Sequence, residues 1–66
     1  MWLQVNGERR EVADGLSLAD LIDVLSFPRE RIAIELNHSV VRRADWQKTE
    51  LSPDDQVEIV HFVGGG

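Results

Sequence analysis

Residues 17–28 read Ser17-Leu18-Ala19-Asp20-Leu21-Ile22-Asp23-Val24-Leu25-Ser26-Phe27-Pro28, and they carry the clearest helical pattern in the chain. Leu18, Leu21, Ile22 and Leu25 fall at i, i+3, i+4 and i+7, which draws one apolar stripe along a helix. Ser17 opens it, because a serine hydroxyl accepts a hydrogen bond from a free amide of the first turn. Asp20, three residues on, completes a capping box with a shorter acid than the usual glutamate, and Leu16 and Leu21 hold the two positions of a hydrophobic staple. Asp20 and Asp23 face water. Pro28 disfavours helical geometry at Phe27, so the helix is predicted to finish by Ser26. One short helix cannot bury its stripe alone. The flanking residues must supply a sheet.

Upstream, Met1 to Asn6 alternates, with Met1, Leu3 and Val5 on one face. Asn6-Gly7 is a type I′ hairpin signal, since both central residues of that turn need positive φ. Glu8 to Ala13 returns as a second strand, a solvated edge held by Val12, and Asp14-Gly15 turns the chain into the helix. Downstream, Arg31 to Asn37 is a third strand with Ile32, Ile34 and Leu36 inward. Asn37-His38-Ser39 turns, Val40-Val41 starts a short strand, and Arg42 to Gln47 is a polar stretch. Ser52-Pro53-Asp54-Asp55 reads as a type I turn with proline second. Gln56 to Phe62 is the final strand, with Val57 and Ile59 inward. The order is α+β: a mixed sheet with one helix packed across it, over residues 1–63, followed by a glycine tail at 64–66.

Composition limits what such a domain can do. Its 66 residues make one small unit, and a chain of that size buries only about 60% of its unfolded surface. An apolar fraction of 42% supports one thin core and leaves no room for a buried catalytic cavity. The chain has no cysteine, which removes disulfides and thiolate metal sites and accords with a reducing cytoplasm, the expected location. A net charge of −5 argues against nucleic acid and for a basic or mixed protein surface as partner. No apolar run approaches a membrane span. A monomer is expected when no partner is bound.

The last eleven residues concentrate what chemistry remains. Beyond Ile59 the alternation breaks, so that Val60 and Phe62 share the solvent face with Glu58 and form a candidate docking patch. Gly64-Gly65-Gly66 has no Cβ to clash and can enter a narrow slot as an extended probe or hang as slack. Fully extended, three residues reach about 10 Å. The α-carboxylate of Gly66 is an oxygen nucleophile, ionised at neutral pH. Elsewhere the bland readings hold. Trp2 and Trp46 read as packing residues, Trp46 as a lid over the long loop, and His38 as a turn residue. His61 reads as a half-exposed strand residue, Asp54 and Asp55 as turn formers, and Arg9-Arg10 and Arg42-Arg43 as solvated faces. Histidine spacing gives no metal site.

This order of elements together with the Gly-Gly end resembles the ubiquitin-like β-grasp proteins, and within them the ThiS/MoaD family of small sulfur carriers, on its thiamine branch. Leu36-Asn37, Val40-Val41-Arg42-Arg43-Ala44-Asp45-Trp46 and Val60 to Gly66 carry the likeness, which covers essentially the whole chain. Arg43 and Trp46 match the family's Val-Pro-Arg-x-x-Trp-like segment, with Arg42 where proline is common. Pro53-Asp54-Asp55 stands where many members have Asp-Gly-Asp.

The resemblance implies a non-enzymatic carrier with no bound cofactor and no resident metal. A ThiF-like enzyme, using its own ATP and magnesium, would adenylate Gly66. A sulfur donor such as a cysteine desulfurase would convert that end to a thiocarboxylate, and a ThiG-like thiazole synthase would take the sulfur. Gly64 and Gly65 would provide reach, and Val60 and Phe62 would dock. A MoaD-like carrier for molybdopterin, a lysine-conjugating modifier and an interaction module with an inert tail stay open on the sequence alone.

Overall fold

The computed structural model describes residues 1–62. These form five strands, β1 (Trp2–Val5), β2 (Glu8–Glu11), β3 (Ile32–Leu36), β4 (Ser39–Val41) and β5 (Gln56–His61), one α-helix, α1 (Leu18–Val24), and a 3-10 helix over Arg43–Lys48. The strands make one sheet in the order β2-β1-β5-β3-β4. The final strand is central. It runs parallel to β1, with Val5 opposite Val57, and antiparallel to β3, with Ile34 opposite Ile59.

The helix cap and the Asn6-Gly7 hairpin turn are as the sequence predicts. Ser17 Oγ accepts from the Asp20 N–H and Asp20 Oδ2 accepts from the Ser17 N–H, both at 3.1 Å, so the helix starts on a complete capping box. The helix ends before Leu25, which caps it. Asn6 and Gly7 both have positive φ (49° and 82°), as a type I′ hairpin requires, and Asn37 and His38 repeat the pattern between β3 and β4. All four residues of β2 are exposed at the sheet edge. The helix lays Leu18, Leu21 and Ile22 against Leu3, Val5, Ile32, Ile34, Val57 and Ile59 of the sheet, and these side chains, joined by Trp46 and Leu51, are the core.

Three details depart from the sequence expectation. The turn at Ser52–Asp55 has φ 68° at Asp54, with the Asp55 N–H donating to the Ser52 carbonyl at 3.2 Å, which is type II and not type I. Aspartate tolerates that left-handed conformation, and the Asp55 carboxylate holds the turn by accepting from the Ser52 N–H at 2.8 Å. The polar stretch after β4 is helical, because Trp46 folds inward and its indole N–H donates to the Val41 carbonyl at 2.9 Å. Trp2, unlike Trp46, is not a packing residue. The alternation that turns Leu3 and Val5 inward turns Trp2 outward, where it is 45% exposed beneath the Arg9 guanidinium.

On the surface, Arg43 lies over the Trp46 ring and donates to the Arg29 carbonyl, and Arg29 grips Asp23 through two hydrogen bonds at 3.2 and 2.9 Å. Those hydrogen bonds lower the Asp23 carboxyl below its ordinary range. Among the described residues no helix is long and apolar enough to cross a membrane.

Candidate functional site

The central position of β5 decides how the chain approaches its end. Between β1 and β3 the strand is held on both edges, and two turn asparagines extend the grip. On the β1 side the Asn6 N–H donates to the Val57 carbonyl at 2.9 Å. Where β1 stops, Asn6 Oδ1 takes over and accepts from the Ile59 N–H at 2.7 Å. On the β3 side Asn37 Oδ1 accepts from the Gln56 N–H at 2.9 Å while Asn37 Nδ2 donates to Asp55 at 3.0 Å. The last described residue is held too, since the Phe62 N–H donates to the Arg31 carbonyl at 2.7 Å. The sequence identified both asparagines as turn formers and did not reveal these roles. The available signal was the residue type: an asparagine at each turn carries a short amide able to bond nearby backbone.

Val60 and Phe62 stand where the sequence put them, each 51% exposed on the face of the sheet away from the helix. The register sets Val60 opposite Ala33 and, two pairs further from the tail on the same face, Glu58 opposite Glu35, with Val40 beyond Glu35 on β4. Val40 is 71% exposed. The outer face therefore carries an apolar band, Val40-Ala33-Val60-Phe62, crossed by two carboxylates. His61 is exposed on the opposite side of the strand from Val60. Gly64, Gly65 and Gly66 lie outside the described residues, as does the boundary expected at residue 63.

An open polar cleft of about 290 Å³ is lined by Gly15, Ser17, Asp20, Gln47, Lys48 and Glu50. Its Ser17 and Asp20 are occupied in the capping box and Lys48 pairs with Asp45 at 3.2 Å. Among the described residues no group of three His, Asp or Glu side chains is placed to hold a metal ion.

A mixed sheet with its last strand at the centre, one helix across it and an exposed face leading into a glycine end defines a ubiquitin-like β-grasp protein. A crystal structure of the thiamine biosynthesis protein ThiS from Geobacter metallireducens superimposes with a TM-score of 0.88 at 35% identity, covering 100% of both chains. The ThiS family model matches residues 3–66, a span that includes all three tail glycines. The chain belongs to the ThiS family.

Sulfur carrier protein ThiS of Bacillus subtilis is 32% identical over 65 residues, 97% of this chain and 98% of that protein. A protein of Magnetococcus marinus named thiazole synthase is 41% identical over 66 residues, 100% of this chain but 20% of that protein. The chain thus spans a fifth of the length of that relative.

Proposed function

We propose that this chain is a sulfur carrier of thiamine biosynthesis, whose Gly66 carboxylate is activated by an adenylating enzyme, converted to a thiocarboxylate and used as sulfur donor in thiazole formation. The observation that carries the reading is the anchoring of β5. A strand held on both edges as far as Ile59, and on its β3 edge as far as Phe62, leads into the tail from a fixed point in the sheet, beside an uncovered apolar band. Family membership and the relatives named for ThiS and thiazole synthase favour the thiazole branch over the molybdopterin one.

The chemistry follows from what a carboxylate lacks. It is a poor electrophile, so sulfur cannot replace its oxygen without activation. Attack of the Gly66 carboxylate on the α-phosphorus of ATP, in a ThiF-like enzyme that also binds the magnesium, expels pyrophosphate and leaves an acyl-adenylate. Sulfur delivered at the persulfide level by a cysteine desulfurase adds to the acyl carbon and expels AMP. A thiol reductant then cleaves the sulfur–sulfur bond and leaves the thiocarboxylate. That group is the better nucleophile, and a ThiG-like synthase consumes it. The carrier's part is presentation and docking.

The test is direct. Incubated with ATP, sulfur donor and its cognate adenylating enzyme, the chain should gain AMP and then exchange one oxygen for sulfur by intact mass. Deleting Gly65 and Gly66 should abolish both changes while leaving the thermal midpoint unchanged. A deletion variant that is still fully modified refutes the reading.

A further inference from the structure

The outer face sets two carboxylates against each other, and among the described residues neither takes part in a salt bridge. Glu35 and Glu58 are direct partners in the β3–β5 register. The Phe62 N–H donating to Arg31 fixes the phase of the ladder, so Arg31/Phe62, Ala33/Val60 and Glu35/Glu58 are the hydrogen-bonded pairs. Side chains directly opposite on one face have Cβ atoms about 4.5–5.5 Å apart, and like charges there oppose folding. Among the described residues no arginine or lysine makes a salt bridge to either glutamate. Arg9 lies by Asp54, Arg29 pairs with Asp23, and Arg42 and Lys48 both pair with Asp45. The isolated chain gains nothing from this pair that glutamine would not supply.

We infer that Glu35 and Glu58 together receive an arginine or lysine side chain from the enzyme that adenylates the tail, with Val40, Ala33, Val60 and Phe62 seating the apolar surface around it; the inference rests on the carrier reading above. Three observations commit the face to that occupant. The carboxylates lie in the same band as the exposed valines, so a partner covering the band must cover them, and burying them unpaired would be costly. Arginine suits the site because its planar fork can donate to both carboxylates while its stem lies along apolar neighbours. The band also continues along β5 from Glu58 through Val60 to Phe62, so the protein that grips the chain's end is the one placed to cover it. A second copy of this chain is disfavoured, since face against face would gather four carboxylates in a molecule of net charge −5.

The experiment titrates the full chain into its cognate adenylating enzyme by calorimetry, comparing wild type with the E35Q/E58Q double variant at low salt and at about 0.5 M salt. Exposed charge pairs are screened at the higher concentration, where the Debye length is only a few ångströms. The double variant should melt at or above the wild-type temperature and bind about 10-fold or more weakly at low salt. That gap should shrink at high salt, and AMP should still be added at saturating enzyme. A merely structural pair would move the melting temperature and leave affinity and its salt dependence alone. Equal affinity of the folded double variant at low salt overturns the inference while leaving the carrier reading standing, provided AMP addition persists. Failure of the wild-type chain to bind or to accept AMP overturns both. Wild-type dimerisation abolished by the double substitution would reassign the face to self-association and also overturn it.

Discussion

Replacing Phe62 by alanine separates docking from folding. A covered phenylalanine buries roughly 150–250 Å², and Phe62 keeps about half of its surface in solvent. About 100 Å² is therefore open to a partner, worth about 2.5 kcal/mol at about 25 cal/mol per Å². Ordering the side chain on binding costs about 0.5–1.5 kcal/mol, which leaves about 1–2 kcal/mol, or about 5–30-fold in Kd. Folding should change little. Phe62 lies outside the core cluster, and its backbone N–H still donates to Arg31 after the side chain is gone. An exposed substitution of this kind stays within about 0.5 kcal/mol. The assay is calorimetric titration against the adenylating enzyme, paired with urea unfolding of the free chain. An unchanged Kd in a variant with an unchanged urea midpoint refutes the docking role. So does a loss of more than about 1.5 kcal/mol of stability, which would make Phe62 a folding residue.

Other substitutions report on the supports behind that face. Trp46→Phe leaves the Val41 carbonyl without its indole donor and should cost about 1–3 kcal/mol in urea unfolding, a large share of the roughly 3–10 kcal/mol available to a domain this size. Asn6→Ala forces alanine into a left-handed conformation and removes the acceptor for Ile59; it should cost about 2–3 kcal/mol, with Asn6→Gly costing about 1 kcal/mol because only the hydrogen bond is lost. Hydrogen exchange should show the Ile59 amide opening first in both variants. Asp23 has its folded pKa lowered by Arg29, so its contribution is complete above the unfolded aspartate range and disappears as pH falls through the lowered value. Asp23→Asn should therefore match wild type at about pH 2 and melt slightly below it at about pH 7.

The fold was legible because its decisive signals are local. The i, i+3, i+4, i+7 stripe, the Ser17/Asp20 box and the Asn6-Gly7 turn each act over a few residues, and each appears in place. What escaped depends on distant partners. The helical turn at Arg43–Lys48 exists because Trp46 reaches the core and the Val41 carbonyl, and the stretch carries no apolar period of its own. Trp2 was misread because hydrophobicity argued for burial while alternation against Leu3 and Val5 argued for exposure, and in a strand alternation wins. The type of the Ser52–Asp55 turn hinged on whether Asp54 would accept a left-handed φ, a choice local composition leaves open. For the site, the failed alternation at Val60 and Phe62 was visible. The opposition of Glu35 to Glu58 became visible only with the register of two strands separated by 19 residues.

That register explains why the exposed face and the chain's end belong to one strand. Val57 and Ile59 are buried against the helix while Glu58, Val60 and Phe62 face outward, so the residues that fix β5 and those left open to a partner alternate along it. Fixing one residue's backbone costs about 1–2 kcal/mol of conformational entropy. If residues 60–62 were a loose extension, a partner would have to order them on docking, at a cost of about 3–6 kcal/mol for three residues. In the folded sheet that order is already present, through the β3 ladder, the Asn6 side chain and the Phe62–Arg31 hydrogen bond. On the proposed carrier reading, the sheet supplies the rigidity and the partner supplies the catalytic groups.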